Sequence, residues 1–245
     1  MTGAPTDRRV THTHNAYLAW CRDRYGILLI LTILNYVILM VLPTGPASTL
    51  IETLVVAATA LFALDVCAAP RRARITCRVL VACLPVMPLL YLGLHLTRLK
   101  AFIPLSLGLM IGAVTVLILL SLVGHEKVNM ATLLGALDIY LLIGIAFAQL
   151  FIAFAEMGIG EPFLAQVHHP DRSQLVYLSY VTLTTVGFGD LTPLSKVART
   201  LVITEALIGQ VFLVTAVARV VSLFGTNQRL KRSEVTDPTS QDTDA

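Results

Sequence analysis

Charge is scarce in this chain. Only 13% of its 245 residues are Asp, Glu, Lys or Arg, whereas soluble domains carry about a quarter. That shortage, with 56% hydrophobic residues and a mean hydropathy of +0.78, points to an integral membrane protein. The four cysteines, Cys21, Cys67, Cys77 and Cys83, show no recurring paired spacing, which argues against a disulfide framework and against a zinc site. A net charge of +3 supplies no patch for nucleic acid. A polar stretch precedes the first apolar run and no small-residue cleavage site follows it, so no cleavable leader is expected. Nucleophile–base spacings, metal-ligand motifs and phosphate loops are missing too. Neither an enzyme activity nor a bound cofactor is expected.

Long uncharged runs are what the chain has instead. A helix needs roughly 20 apolar residues to cross the hydrocarbon core, and six stretches qualify: 26–42, 50–69, 75–96, 102–123, 130–157 and 197–224. The fold class is therefore all-α, with six transmembrane helices. Between the last two lies 173–184; as a helix, about 12 residues reach only about 18 Å. That is half a bilayer, so the segment reads as a re-entrant helix that enters and leaves by one face. Non-helical backbone at that depth is tolerated only where protein buries it or it lines a water-filled path.

The residues after this short helix are Thr184, Thr185, Val186, Gly187, Phe188, Gly189 and Asp190, reading TTVGFGD. An extended segment that turns successive carbonyls toward one axis replaces the oxygens of an ion's hydration shell when several copies meet there. Aiming consecutive carbonyls the same way requires dihedrals that alternate in hand, and glycine takes the positive-φ conformers at little steric cost. Gly187 and Gly189 fit that need, and Thr185 adds a hydroxyl oxygen.

TVGFG followed by Asp resembles the selectivity filter of the tetrameric pore-loop potassium channels, with Phe188 where the commonest form has Tyr. The resemblance covers 130–224, about the last two-fifths of the chain, and is only topological before that. It implies potassium held by the carbonyls of Thr185, Val186, Gly187 and Phe188 and by the Thr185 hydroxyl, with Thr184, Gly189 and Asp190 supporting the filter. Asp190 would stand at the outer mouth or cap the filter turn. Tyr177 and Tyr180 share a helix face and would brace the filter from behind; the alternative is that they are interfacial anchors like Trp20 and Tyr25. Gly209, 20 residues beyond Gly189, matches a hinge position of the inner helix, with tight packing as the alternative. Leu213 and Val217 follow at helical spacing and would line the cavity and inner mouth. The motif occurs once, so one chain supplies a quarter of a four-fold filter and a homotetramer in the lipid bilayer is implied. The expected function is passive, potassium-selective conduction; the alternatives are a non-selective cation channel, against which the intact GFG argues, and a non-conducting scaffold subunit.

Lysine and arginine orient the chain. Thirteen of them fall on the segments that are inner if the N-terminus is inside, against five on the outer segments (Arg98, Lys100, Arg172, Lys196 and Arg199). Both termini are expected in the cytoplasm of a plasma-membrane protein, which puts the re-entrant loop outside. The domains read as a cytoplasmic segment 1–25, a four-helix region 26–123, a pore domain 130–225 and a disordered tail 226–245. The fourth span holds no Lys or Arg, and a span without charge extracts no work from the membrane potential, so little intrinsic voltage dependence is expected.

Besides Glu156, the penultimate residue of its run, four acids lie in apolar spans. Glu52 and Asp65 sit near span ends, where they can reach water. Depth counting matches Asp138 with Arg219 as an intramembrane ion pair, or leaves Arg219 to snorkel to the headgroups. Glu205 lies level with the short helix and is expected to hydrogen-bond Ser179 or Tyr180. Asp171 and Gln174 have the spacing of a capping box. His168 and His169 fall in an outer loop, as titrating groups near the mouth or as plain solvated side chains.

Overall fold

A computed structural model describes residues 7–43, 45–66, 100–123, 130–158 and 160–236, with four positions (75, 78, 79 and 81) between the second and third of these stretches. The regular elements of the described chain are helices: α1 Asp7–Val41, α2 Pro46–Val66, α3 Phe102–Val123, α4 Met130–Met157, α5 Arg172–Leu183 and α6 Lys196–Thr236. Five of these, all but α5, are long and apolar enough to cross a membrane. The protein is a multi-pass membrane protein. The span expected over 75–96 lies almost wholly outside the described residues.

Two boundaries differ from the sequence reading. Helix α1 starts at Asp7 rather than near Gly26, and α6 runs unbroken to Thr236, past the point where a disordered tail was expected. Both extensions have the same cause. No proline occurs between Pro5 and Pro43, or between Pro193 and Pro238. The polar residues there (Arg229, Lys231, Arg232) are good helix formers, so the absence of apolar residues ends the span without ending the helix.

Helix α4 is the hub. Of its span, 67% is buried, against 11% for α6. Its Ile139, Leu142 and Ile145 pack with Leu28 and Leu39 of α1, Val56 of α2, and Leu107 and Ile118 of α3. Further along, Phe151 and Ile152 meet Phe163, Leu164, Leu175, Leu178 and Ala198 in a second core around α5.

Polar contacts mark the two ends of the bundle. At one end Arg24 donates to the Asp65 carbonyl at 3.2 Å, and Arg78 approaches the Asp65 carboxylate at 3.4 Å. At the other, Lys100 pairs with Glu156 at 3.3 Å, and Glu52 with Arg172 at 2.5 Å. Asp65 is half-exposed, as its place near a span end suggests. Glu52 is not: it is fully buried and paired.

Candidate functional site

The site begins with helix α5. Asp171 is its N-cap, in extended conformation, and its backbone N–H donates to Gln174 Oε1 at 2.9 Å, the contact the spacing of the two residues suggested. Leu175, Val176, Leu178 and Leu183 are buried and set the helix between α4 and α6. The loop before α5 is fastened to the chain after the signature segment. Ala165 donates to the Thr192 carbonyl and Leu194 to the Phe163 carbonyl, both at 3.0 Å, around an isolated antiparallel bridge between Leu164 and Pro193. Gln166 and Thr192 add side-chain bonds of 2.8 and 3.0 Å.

The helix ends at Leu183, and the amides that follow fold back onto its last carbonyls. Thr184 donates to Tyr180, Thr185 to Thr182, and Val186 to Val181, at 2.9–3.0 Å. Beyond this point φ is positive at Thr185 (59°), Gly187 (58°) and Gly189 (77°), and Val186 and Phe188 between them stay outside that region. The hand of the backbone thus alternates residue by residue. Two of the three positions are glycine. Thr185 is the only non-glycine among the described residues with positive φ, and it is β-branched, for which that region is strained. Among the described residues, no hydrogen bond ends on the carbonyls of Thr185, Val186, Gly187 or Phe188. The whole run 184–190 is exposed in the single chain, with Phe188 at 70% and Val186 at 53%. Leu207, Val211, Leu213, Val214 and Val217 on α6 are exposed as well.

Tyr177 and Phe188 lie ring against ring, with centroids 6.5 Å apart and planes 4° from parallel, and the Tyr177 hydroxyl lies toward the Asp190 carboxylate. Tyr180, expected on the same face, goes elsewhere. Its hydroxyl donates to the Leu141 carbonyl at 2.9 Å, and its ring meets Tyr36 of α1 edge-on at 4.9 Å. Three residues of helix turn a side chain by about 60°, and that swing carries Tyr180 into the gap left by Gly144, where a Cβ would stand 2.8 Å from the ring. Of the two tyrosine rings expected against the segment, that of Tyr177 is stacked on it, and that of Tyr180 packs on α1.

Gly209 sits inside the uninterrupted α6, where a Cβ would meet Leu183 Cδ1 at 2.5 Å. The close approach of α6 to the end of α5 favours a small residue here, as the packing alternative has it. Tyr140 joins the same junction: its hydroxyl donates to the Leu183 carbonyl at 3.0 Å, and its ring stacks on Phe212 at 6.3 Å.

Glu205 is fully buried, with Oε1 2.5 Å from Ser179 Oγ; the same hydroxyl lies 2.7 Å from the Gly144 carbonyl. Of the two partners the sequence allowed, Ser179 is the one in place. Asp138 is also fully buried, but its carboxylate makes no hydrogen bond among the described residues, and the polar group facing it is Thr32 of α1. The Asp138–Arg219 ion pair is not formed. Matching depth ignored azimuth: Asp138 lies two residues, about 200° of helix, from Tyr140, which is the residue that faces α6. His168 and His169 are exposed.

The contact that the sequence reading missed is Glu52 with Arg172. The signal available was the placement of an arginine at the start of a helix, where the partial positive charge of the exposed N–H groups disfavours it.

No curated protein and no solved structure matches the chain. Residues 137–225, from the third turn of α4 through α5, the signature segment and the apolar length of α6, match the family model described as an ion channel.

Proposed function

We propose that this chain is one subunit of a homotetrameric, potassium-selective channel that conducts passively. The alternation of φ through Thr185, Val186, Gly187, Phe188 and Gly189 carries this reading. It is the backbone needed to aim successive carbonyls toward one axis, and no protein donor among the described residues occupies those carbonyls. In this reading α5 is a re-entrant pore helix and 185–188 the filter. The bundle end with Glu52 and Arg172 faces outward, and both termini are cytoplasmic. Four α5 C-termini converge below the filter, where the partial negative charge of each helix end favours a cation in a central cavity. The poor burial of α6 supports the tetramer, since its apolar side chains would meet the other subunits and line the conduction path through Leu213 and Val217. Gly209 is the point about which α6 would bend.

The experiment is a flux assay on the purified chain in liposomes, with potassium and sodium gradients run in parallel. Potassium flux well above sodium flux is expected. Equal fluxes would replace the reading by a non-selective cation channel, and no flux of either ion would leave a scaffold subunit.

A further inference from the structure

Glu52 lies early in α2 and is fully buried, a position where a carboxylate needs close partners. One of its oxygens accepts from the Arg172 guanidinium at 2.5 Å, and the Gln149 side-chain amide of α4 donates to the other. The Arg172 side chain is itself only 11% exposed. Glu156 of α4, paired with Lys100, is the other charged group near the guanidinium. Three helices therefore meet in one desolvated polar knot, although the two charged partners are 120 residues apart in sequence.

Arg172 opens α5. A cation there works against the partial positive charge of the helix start, so the residue does not serve the helix alone. The Glu52 carboxylate answers the guanidinium. A second grip lies near the far end of α5, where Tyr36 of α1 packs edge-on against Tyr180. The same helix passes directly into Thr184 and the alternating segment.

We infer that Glu52 is a positioning residue for the filter, acting through Arg172, and that α1 and α2 hold the pore helix in register. The functional half of this inference rests on the channel reading; the mechanical half concerns the fold alone. In this account the early spans act on the filter from behind, at the bundle end opposite to Asp65.

The test uses the full chain in nanodiscs for amide hydrogen exchange, and in liposomes for flux. The variants are Glu52→Gln, Arg172→Gln, the two combined, and Arg172→Lys. Each single glutamine variant is expected to speed exchange over 173–190 by about tenfold or more, because it strands a buried partner, while α6 residues 197–215 change by less than about twofold. The combined variant removes both charges and should exchange no faster than either single one; Arg172→Lys should fall between wild type and Arg172→Gln. The potassium-to-sodium flux ratio should drop in single variants that still assemble. Unchanged exchange over 173–190 in Glu52→Gln would overturn the inference. So would single effects that simply add in the combined variant, or a loss of thermal stability with an intact flux ratio. A wild-type chain that does not conduct overturns the channel reading, and the exchange pattern still decides the link.

Discussion

Tyr177 and Phe188 face each other across the turn between the short helix and the signature segment, 4° from parallel with centroids 6.5 Å apart. A stack of this kind contributes about 0.5–1.5 kcal/mol beyond burial, and here it ties the proposed filter's aromatic residue to its own helix. Tyr177→Phe keeps the ring and loses the hydroxyl that lies toward Asp190; Tyr177→Ala loses both. The phenylalanine variant should hold potassium-over-sodium selectivity within about threefold of wild type, and the alanine variant should lose roughly tenfold. Equal loss in both would assign the effect to the hydroxyl instead. Desolvation, and then the Asp190 carboxylate, push the Tyr177 hydroxyl above its ordinary value. The group therefore stays protonated below that ordinary value of about 10, and its contribution disappears only as pH rises through the raised one. The flux difference between wild type and Tyr177→Phe should stay constant from about pH 6 to about pH 9.

Strain in the segment makes a second prediction. Gly187 sits at φ 58°, and a Cβ added there would find nothing within 4 Å. Gly187→Ala therefore leaves folding intact but adds roughly 1–2 kcal/mol of backbone strain per chain. Selective conduction should vanish while chains still reach the membrane; unchanged selectivity would rule out the filter assignment. Thr185 already bears such strain at φ 59°. Thr185→Ala removes the hydroxyl and keeps the strain, and Thr185→Gly removes both. If the hydroxyl coordinates the ion, the two should weaken potassium block or binding alike; if only the backbone matters, they should diverge in thermal stability alone.

The Ser179 hydroxyl carries one proton but lies within hydrogen-bond distance of two oxygens, on Gly144 and Glu205. Both bonds form together only if Glu205 supplies the second proton, as a carboxylic acid does. Glu205→Gln, which offers an N–H donor, should keep assembly close to wild type. Glu205→Leu should destabilise it by about 1–3 kcal/mol, because the buried serine loses one of its two partners. Melting of the assembled protein measures both. A glutamine variant as damaged as the leucine variant would mean that the ionised form is needed.

Gly209 separates hinge from spacer. A methyl there stands 2.5 Å from Leu183 Cδ1, and overpacking of this kind costs about 1–3 kcal/mol. If spacing is the reason for the glycine, Gly209→Ala should lose stability and regain most of it when combined with Leu183→Ala. A hinge predicts the opposite: stability nearly unchanged, open probability altered, and no rescue by the second change. Single-channel recording alongside thermal melting distinguishes them.

Local features were legible in the sequence, and lateral ones were not. The Gly187 and Gly189 spacing announced an alternating backbone because φ is a property of single residues. Asp171 and Gln174 announced their contact because three residues of helix fix the distance. Glu205 and Ser179 were matched by depth, which needs only helix rise. Azimuth is where depth arguments stop: it sent Tyr180 away from the proposed filter and Asp138 toward Thr32 instead of Arg219. Glu52 was misplaced for a related reason. Closeness to a span end promises water only if no neighbouring element covers that end, and α4 and α5 cover it here.

The clasp between Ala165 and Thr192 has a consequence for shape under load. Because Phe163–Leu194 and Ala165–Thr192 bonds close a loop around α5 and the signature segment, the enclosed chain is shortened to a fastened ring. Fewer alternative conformers remain to it, since the entropy of loop closure is already spent in the folded state. On the channel reading, ions would pass along the axis where four such segments meet, and at each vacancy four sets of like carbonyl dipoles would push apart. A ring fastened at its neck resists that spreading without a bound ion to hold it, which makes the clasp a mechanical retainer of the empty state.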